Sequence, residues 1–144
     1  MSNFELEKNL KQRTKQFAVA AIRYCSSLRK TQELSILAAQ LIRSASSVGA
    51  NYRSACRARS TADFLSKLSI VEEGADEALY WLEILESCGV ERSPELRQLQ
   101  DEADQLTAIV VSSKKTIRTN GRLKEDKSPM FHNSKFDTRN SKLP

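Results

Sequence analysis

Apolar and small residues recur along the chain in alternating steps of four and three. Leu10, Thr14, Phe17, Ala21, Tyr24 and Leu28 form one such stripe, and Leu34, Ala38, Leu41, Ala45, Val48, Tyr52 and Ala55 form a second. Phe64, Leu68, Val71, Ala75, Ala78, Leu82 and Leu85 make a third, followed by Leu96, Leu99, Ala103, Leu106, Val110, Ser113 and Ile117. This alternation keeps each stripe on one side of an α-helix, and its seven-residue average suits helices packed at shallow angles. The pattern predicts an all-α protein, an antiparallel up-and-down four-helix bundle with helices near residues 4–28, 32–58, 61–87 and 94–119.

Local signals divide the chain at the same places. Only four Gly and three Pro interrupt 144 residues, so long segments are expected. Thr31 can cap the second helix, with Glu33 in its first turn, and Ser60 with Asp63 has the spacing of a capping box. Gly89 is placed to end the third helix, while Ser93, Pro94 and Glu95 supply cap, first-turn proline and acid for the fourth. Lys114, Lys115 and Arg118 favour the negative end of that helix, and Asn120–Gly121 is expected to stop it. Such short connections force neighbouring helices to run antiparallel. After Gly121 the periodicity is lost, charges scatter and few large apolar groups occur. The expected organisation is a bundle over residues 1–121 and a disordered basic tail over 122–144.

The N-terminal "MSNFELEKNLKQR" lacks the apolar centre of a signal peptide, and no run approaches the roughly 18 apolar residues of a membrane span. A cytoplasmic location is expected. Cys25, Cys56 and Cys88 offer neither disulfide-framework density nor a CxxC pair, and are read as reduced, buried small side chains.

The sharpest candidate for chemistry is "EEGADEALYW", where Glu72, Glu73, Asp76 and Glu77 crowd six positions. With the third stripe facing the core, Glu73, Asp76 and Glu77 fall on the outer arc and only Glu72 reaches the margin. A di-iron bundle needs inward-facing Glu residues and two Glu-x-x-His pairs, whereas the only histidine, His132, lies beyond Gly121. The cluster reads as a solvated or partner-facing strip, and no metal or cofactor is expected. No phosphate-binding GxxxxGK[ST] loop, HExxH pair or nucleophile elbow is present, so an enzyme is not expected either.

Charge is strongly segregated. Residues 1–59 carry eleven basic and three acidic side chains, residues 60–104 three and twelve, and residues 105–144 nine and three, within a total of +5. Basic and acidic segments can pair between adjacent helices or between subunits. Lys8, Lys11 and Lys15 line one side of the first helix, and Arg43, Arg53 and Arg57 take outward positions on the second. Such stripes can follow phosphates or simply be solvated, and no aromatic residue interleaves with them to stack on bases.

The segment "LIRSASSVGANYRSACRARSTADFLSKLSIVEEGADEALYWLEIL" resembles the signature region of a four-helix-bundle family encoded by intervening sequences of bacterial large-subunit ribosomal RNA genes. Arg43, Ser44, Ser47, Asn51, Tyr52, Arg53, Phe64, Lys67, Leu68, Glu73, Asp76, Glu77, Trp81 and Leu82 carry the likeness, which extends more weakly over residues 4–119. The resemblance implies an up-and-down bundle, a homopentameric ring and no enzymatic activity. A related branch, the accessory protein of diversity-generating retroelements, works with a reverse transcriptase and nucleic acid. Association with RNA or DNA is thereby implied. Where many members follow the asparagine with an Ile-Ala-Glu-Gly-like run, this chain has Tyr52, Arg53, Ser54 and Ala55, so a role tied to that acid does not transfer. Two functions remain open: a nucleic-acid-binding oligomer, and a protein interaction scaffold without nucleic-acid contact.

Overall fold

A computed structural model describes the backbone of residues 2–126 and the side chains of residues 2 and 4–121. Four helices follow one another: α1 (Asn3–Ser26), α2 (Gln32–Ala55), α3 (Thr61–Ser87) and α4 (Pro94–Asp126). Each packs beside its chain neighbour, and α1 closes against α4. The bundle is therefore up-and-down, as the short connections require.

The helix ends are fixed by side chains that satisfy the backbone groups a helix leaves open. At the start of α1, the Ser2 hydroxyl accepts from Glu5 N–H while Glu5 accepts from Ser2 N–H, each at 3.2 Å. Thr31 accepts from Leu34 N–H at 3.2 Å, and Ser93 from Leu96 N–H at 3.2 Å. Ser60 accepts from Asp63 N–H at 3.0 Å, but the reciprocal half of the expected box slips by one residue. The Asp63 carboxylate takes the Arg59 N–H at 3.2 Å and the Lys67 ammonium at 2.9 Å. These hydrogen bonds, Lys67 first, lower the Asp63 pKa. Gly89, at φ 89°, closes α3: Val90 N–H reaches the Leu85 carbonyl at 3.2 Å, and Gly89 N–H reaches Glu86 at 3.1 Å.

α1 and α2 end two and three residues earlier than expected, at Ser26 and Ala55, and the largest difference lies at the end of α4. Asn120–Gly121 does not stop α4, which continues to Asp126. A glycine ends a helix by adopting positive φ, and among the described residues only Gly89 does so. Gly121 stays helical, and the following Arg, Leu, Lys and Glu are all good helix formers. Residues 122–126 thus belong to α4, and the rest of the tail expected to be disordered, residues 127–144, lies outside the described residues.

The four stripes form the core. Leu41, Leu68, Leu82, Leu85, Leu96 and Leu106 are its largest fully buried members, while Leu28, Leu34, Ala38, Phe64 and Ile117 sit half-buried at its margins. Of the three cysteines expected to be buried only Cys25 is; Cys56 and Cys88 cap the ends of α2 and α3, where the chain turns away from the core, and are half-buried and exposed, respectively. Two glycines set how closely α2 approaches its neighbours. A Cβ on Gly49 would stand 3.3 Å from the backbone carbonyl carbon and oxygen of Thr14 in α1. One on Gly74 would stand 2.7 Å from Ser47 Oγ and 3.3 Å from Val48 in α2. Polar groups in this tight region bond to their own helices. Ser44 donates to the Gln40 and Leu41 carbonyls, Ser47 to Ser44, and Thr14 to Leu10 and Lys11.

Leu82→Asp and Leu68→Asp each place a carboxylate where no partner waits, and each is expected to cost at least about 3 kcal/mol. Thermal unfolding followed by circular dichroism measures this; a melting temperature near wild type contradicts the seam. Gly49→Leu must push the α1 backbone away, with an expected loss of about 1–3 kcal/mol despite leucine's better helix propensity.

Candidate nucleic-acid interface

The outward faces of α1 and α2 enclose a shallow groove. Its middle is formed by Ala18, Ser46, Gly49 and Ala50, small residues that let the two helices sit close and leave a depression between them. Longer side chains rise around it: Lys8, Lys11 and Lys15 from α1, Arg53 from the last turn of α2, and Arg57, expected on the helix, from the turn that follows it because α2 ends at Ala55. Five of the six cations predicted from the sequence therefore share one groove. Arg43 does not; it lies on α2 before the groove begins at Ser46 and donates to the Gln40 amide oxygen at 2.7 Å. Arg23, not among the sequence candidates, also lines the groove. Its signal was present, since it stands eight residues beyond Lys15, about two turns along α1.

Electrostatically the groove is open. Lys11 has an exposed ion pair with Glu7 at 3.2 Å, whereas Lys8, Lys15, Arg23, Arg53 and Arg57 have no ion pair among the described residues. Exposed cations at helical spacing attract phosphates through charge. No aromatic side chain lines the groove, so its walls offer phosphate contacts without a platform for bases.

The acids go elsewhere. Glu72 turns inward at the α3 margin and accepts from Lys114 of α4 at 3.1 Å. Glu73, Asp76 and Glu77 are exposed on the far side of α3 from its core stripe. Among the described residues, no group of three or more His, Cys, Asp or Glu side chains is gathered as a metal site would be. A second cross-helix pair joins Arg13 of α1 to Glu102 of α4, with Arg13 Nε at 3.1 Å from the carboxylate and its Nη2 also reaching Gln105. This hydrogen bond raises the Arg13 pKa.

The remaining signature residues have packing roles. Asn51 donates its amide to the Ser47 carbonyl at 2.8 Å, one helical turn back. Tyr52 is buried, which drives its phenol pKa upward. Phe64 and Trp81 pack partly buried against the core, and Lys67 is held by Asp63. Trp81 meets exposed Tyr80 edge-on, with ring centroids 5.0 Å apart. Among the described residues no helix is long and apolar enough to cross a membrane.

No curated protein matches the chain. Among solved structures, it is similar to a protein of unknown function from the S23 ribosomal protein family of Bacteroides thetaiotaomicron VPI-5482. The two share 29% sequence identity and a TM-score of 0.70, over 76% of this chain and 97% of that one. The sequence profile of the 23S rRNA-intervening sequence protein family matches residues 7–112. With the bundle, its signature segment and this match across most of its length, the chain belongs to the 23S rRNA-intervening sequence protein family.

Proposed function

We propose that this protein is a non-enzymatic helical bundle that binds structured RNA or DNA through phosphates in the α1–α2 groove. The observation that carries this reading is the convergence of Lys8, Lys11, Lys15, Arg23, Arg53 and Arg57 on one groove of small residues. The family's name, which ties it to intervening sequences of 23S rRNA, adds to it. Because the groove has no stacking surface and no buried polar pocket for base edges, base selectivity should be low and salt sensitivity high.

Binding of the full chain to duplex RNA and DNA across a salt series tests this reading. Contact with about five phosphates predicts a roughly five-hundredfold loss of affinity between 50 and 200 mM salt. Arg53→Glu with Arg57→Glu should abolish measurable binding while leaving the circular dichroism spectrum unchanged. Arg43→Glu, outside the groove, should weaken binding much less. Equal losses in both variants would show that total charge is being read, and absence of binding at low salt removes the proposal.

A second reading, self-assembly as a scaffold, draws on α3. Ile70 and Tyr80 are 44% and 52% exposed and flank Glu73 and Glu77 on one outer strip. Such an apolar and acidic strip suits the basic groove of another copy. Because strip and groove are different patches of the same chain, their contact is head-to-tail and makes rings or filaments. The homopentamer implied by the family likeness is one such ring, and a reverse transcriptase is the nucleic-acid partner that the related branch suggests. Light scattering should then give a mass several times 16.2 kDa, reduced to one chain by Ile70→Lys with Tyr80→Lys. If that variant gains nucleic-acid binding, the strip covers the groove; unchanged binding places the subunit contact elsewhere.

A further inference from the structure

The α1–α4 junction is the most sparsely packed in the bundle. Beside it, near the α1–α2 and α3–α4 turns, a cleft opens on the other side of α1 from the basic groove, sharing with it Gln16, Ala20 and Arg23. Its floor includes Phe17, Leu28, Leu34, Leu37, Val90 and Leu99. Glu33, Glu91, Glu95 and Asp101 surround it, none of them ion-paired among the described residues, and only Arg23 and Arg29 oppose them. Tyr24 lines the same cleft at 6% exposure, and its hydroxyl has no hydrogen-bond partner among the described residues. Burial, assisted by Glu86 and Glu95, raises its pKa, so it remains a neutral donor in search of an acceptor.

We propose that this cleft is the docking site of residues 127–144 of the same chain. That segment combines Met130, Phe131, Phe136 and Leu143 with Lys127, Lys135, Arg139 and Lys142 against a single acid, Asp137. Its apolar groups match the floor and its cations match the rim, while a backbone carbonyl supplies the acceptor that Tyr24 lacks. The reach is sufficient. From Asp126 back to Gln105, at the cleft's edge, α4 covers about 32 Å at 1.5 Å per residue. Phe136 lies ten residues beyond Asp126 and spans about 34 Å when extended, and Leu143 reaches farther. Phe136 therefore docks at the near edge and Leu143 deeper, with Lys135, Arg139 and Lys142 along the acids. This inference is independent of nucleic-acid binding, since it uses the cleft and not the basic groove.

Cys88 provides the probe, because it is exposed and lines the cleft. Cys25 is buried, and burial pushes its thiol pKa up to about 11; Cys56→Ser removes the remaining thiol. A benzophenone maleimide attached at Cys88 of the full chain is irradiated, and its cross-links are mapped by mass spectrometry in a mixture of isotopically light and heavy chains. Cross-links within one chain to residues 130–143 are expected. Phe136→Ser with Leu143→Ser should remove them and raise the rate of Cys88 alkylation about tenfold, the factor set by 1.4 kcal/mol of docking. These substitutions leave the sequence of all four helices unchanged, and an unchanged circular dichroism spectrum confirms that the bundle remains folded. Cross-links to helices of another chain would identify a second copy as the occupant and overturn the proposal. Cross-links confined to the cleft walls, or an unchanged alkylation rate, would also overturn it.

Discussion

The close approach of α2 to both of its neighbours governs the rest of the molecule. On one side Gly49 admits the α1 backbone to a distance at which a methyl group would press on Thr14 and force a small shift, and on the other Gly74 of α3 leaves room for Ser47 and Val48. Dispersion attraction falls off over fractions of an ångström, so such proximity strengthens every apolar contact along both seams. It also limits what polar groups may do there. Ser44, Ser47, Thr14 and Asn51 fold their donors back onto their own helices, and none reaches across a seam where an imperfect partner would leave a buried group unsatisfied.

The same tightness shapes the outer surface. Small residues that permit helix contact on the inside leave a depression on the outside, and the long cations of α1 and α2 stand around it. The charge segregation visible along the sequence becomes a division of space. Positive charge gathers over the α1–α2 groove, while acids occupy the α3 strip and the α1–α4 cleft, with ion pairs such as Arg13–Glu102 and Lys114–Glu72 bridging the helices.

The core was legible because its signal is periodic: each residue of the Leu41–Ala55 and Leu68–Leu85 parts of the stripes is buried. The helix starts at Thr31, Ser60 and Ser93 were legible because capping is local chemistry. Gly121 misled because a glycine's φ depends on whether its surroundings favour ending the helix, and that is not encoded in the residue itself. Gly49 and Gly74 carried no readable message in sequence, since close approach is a property of two helices. The basic stripe was correctly placed on outward faces, but which cations share a groove depends on where α1 crosses α2. Arg43 and Arg23 exchanged roles for that reason. The cleft beside Tyr24 was invisible for the same cause, because it is assembled from both turns and three helices.

Gln16, Ala20 and Arg23 each border both the basic groove and the acidic cleft. α1 is therefore a partition with oppositely charged rooms on its two sides. It is held firmly along α2 and only sparsely along α4. If α1 shifts toward α4, one room narrows as the other widens. By thermodynamic reciprocity, any occupant that prefers one position of α1 alters the affinity of the opposite room by the same factor that it experiences in return.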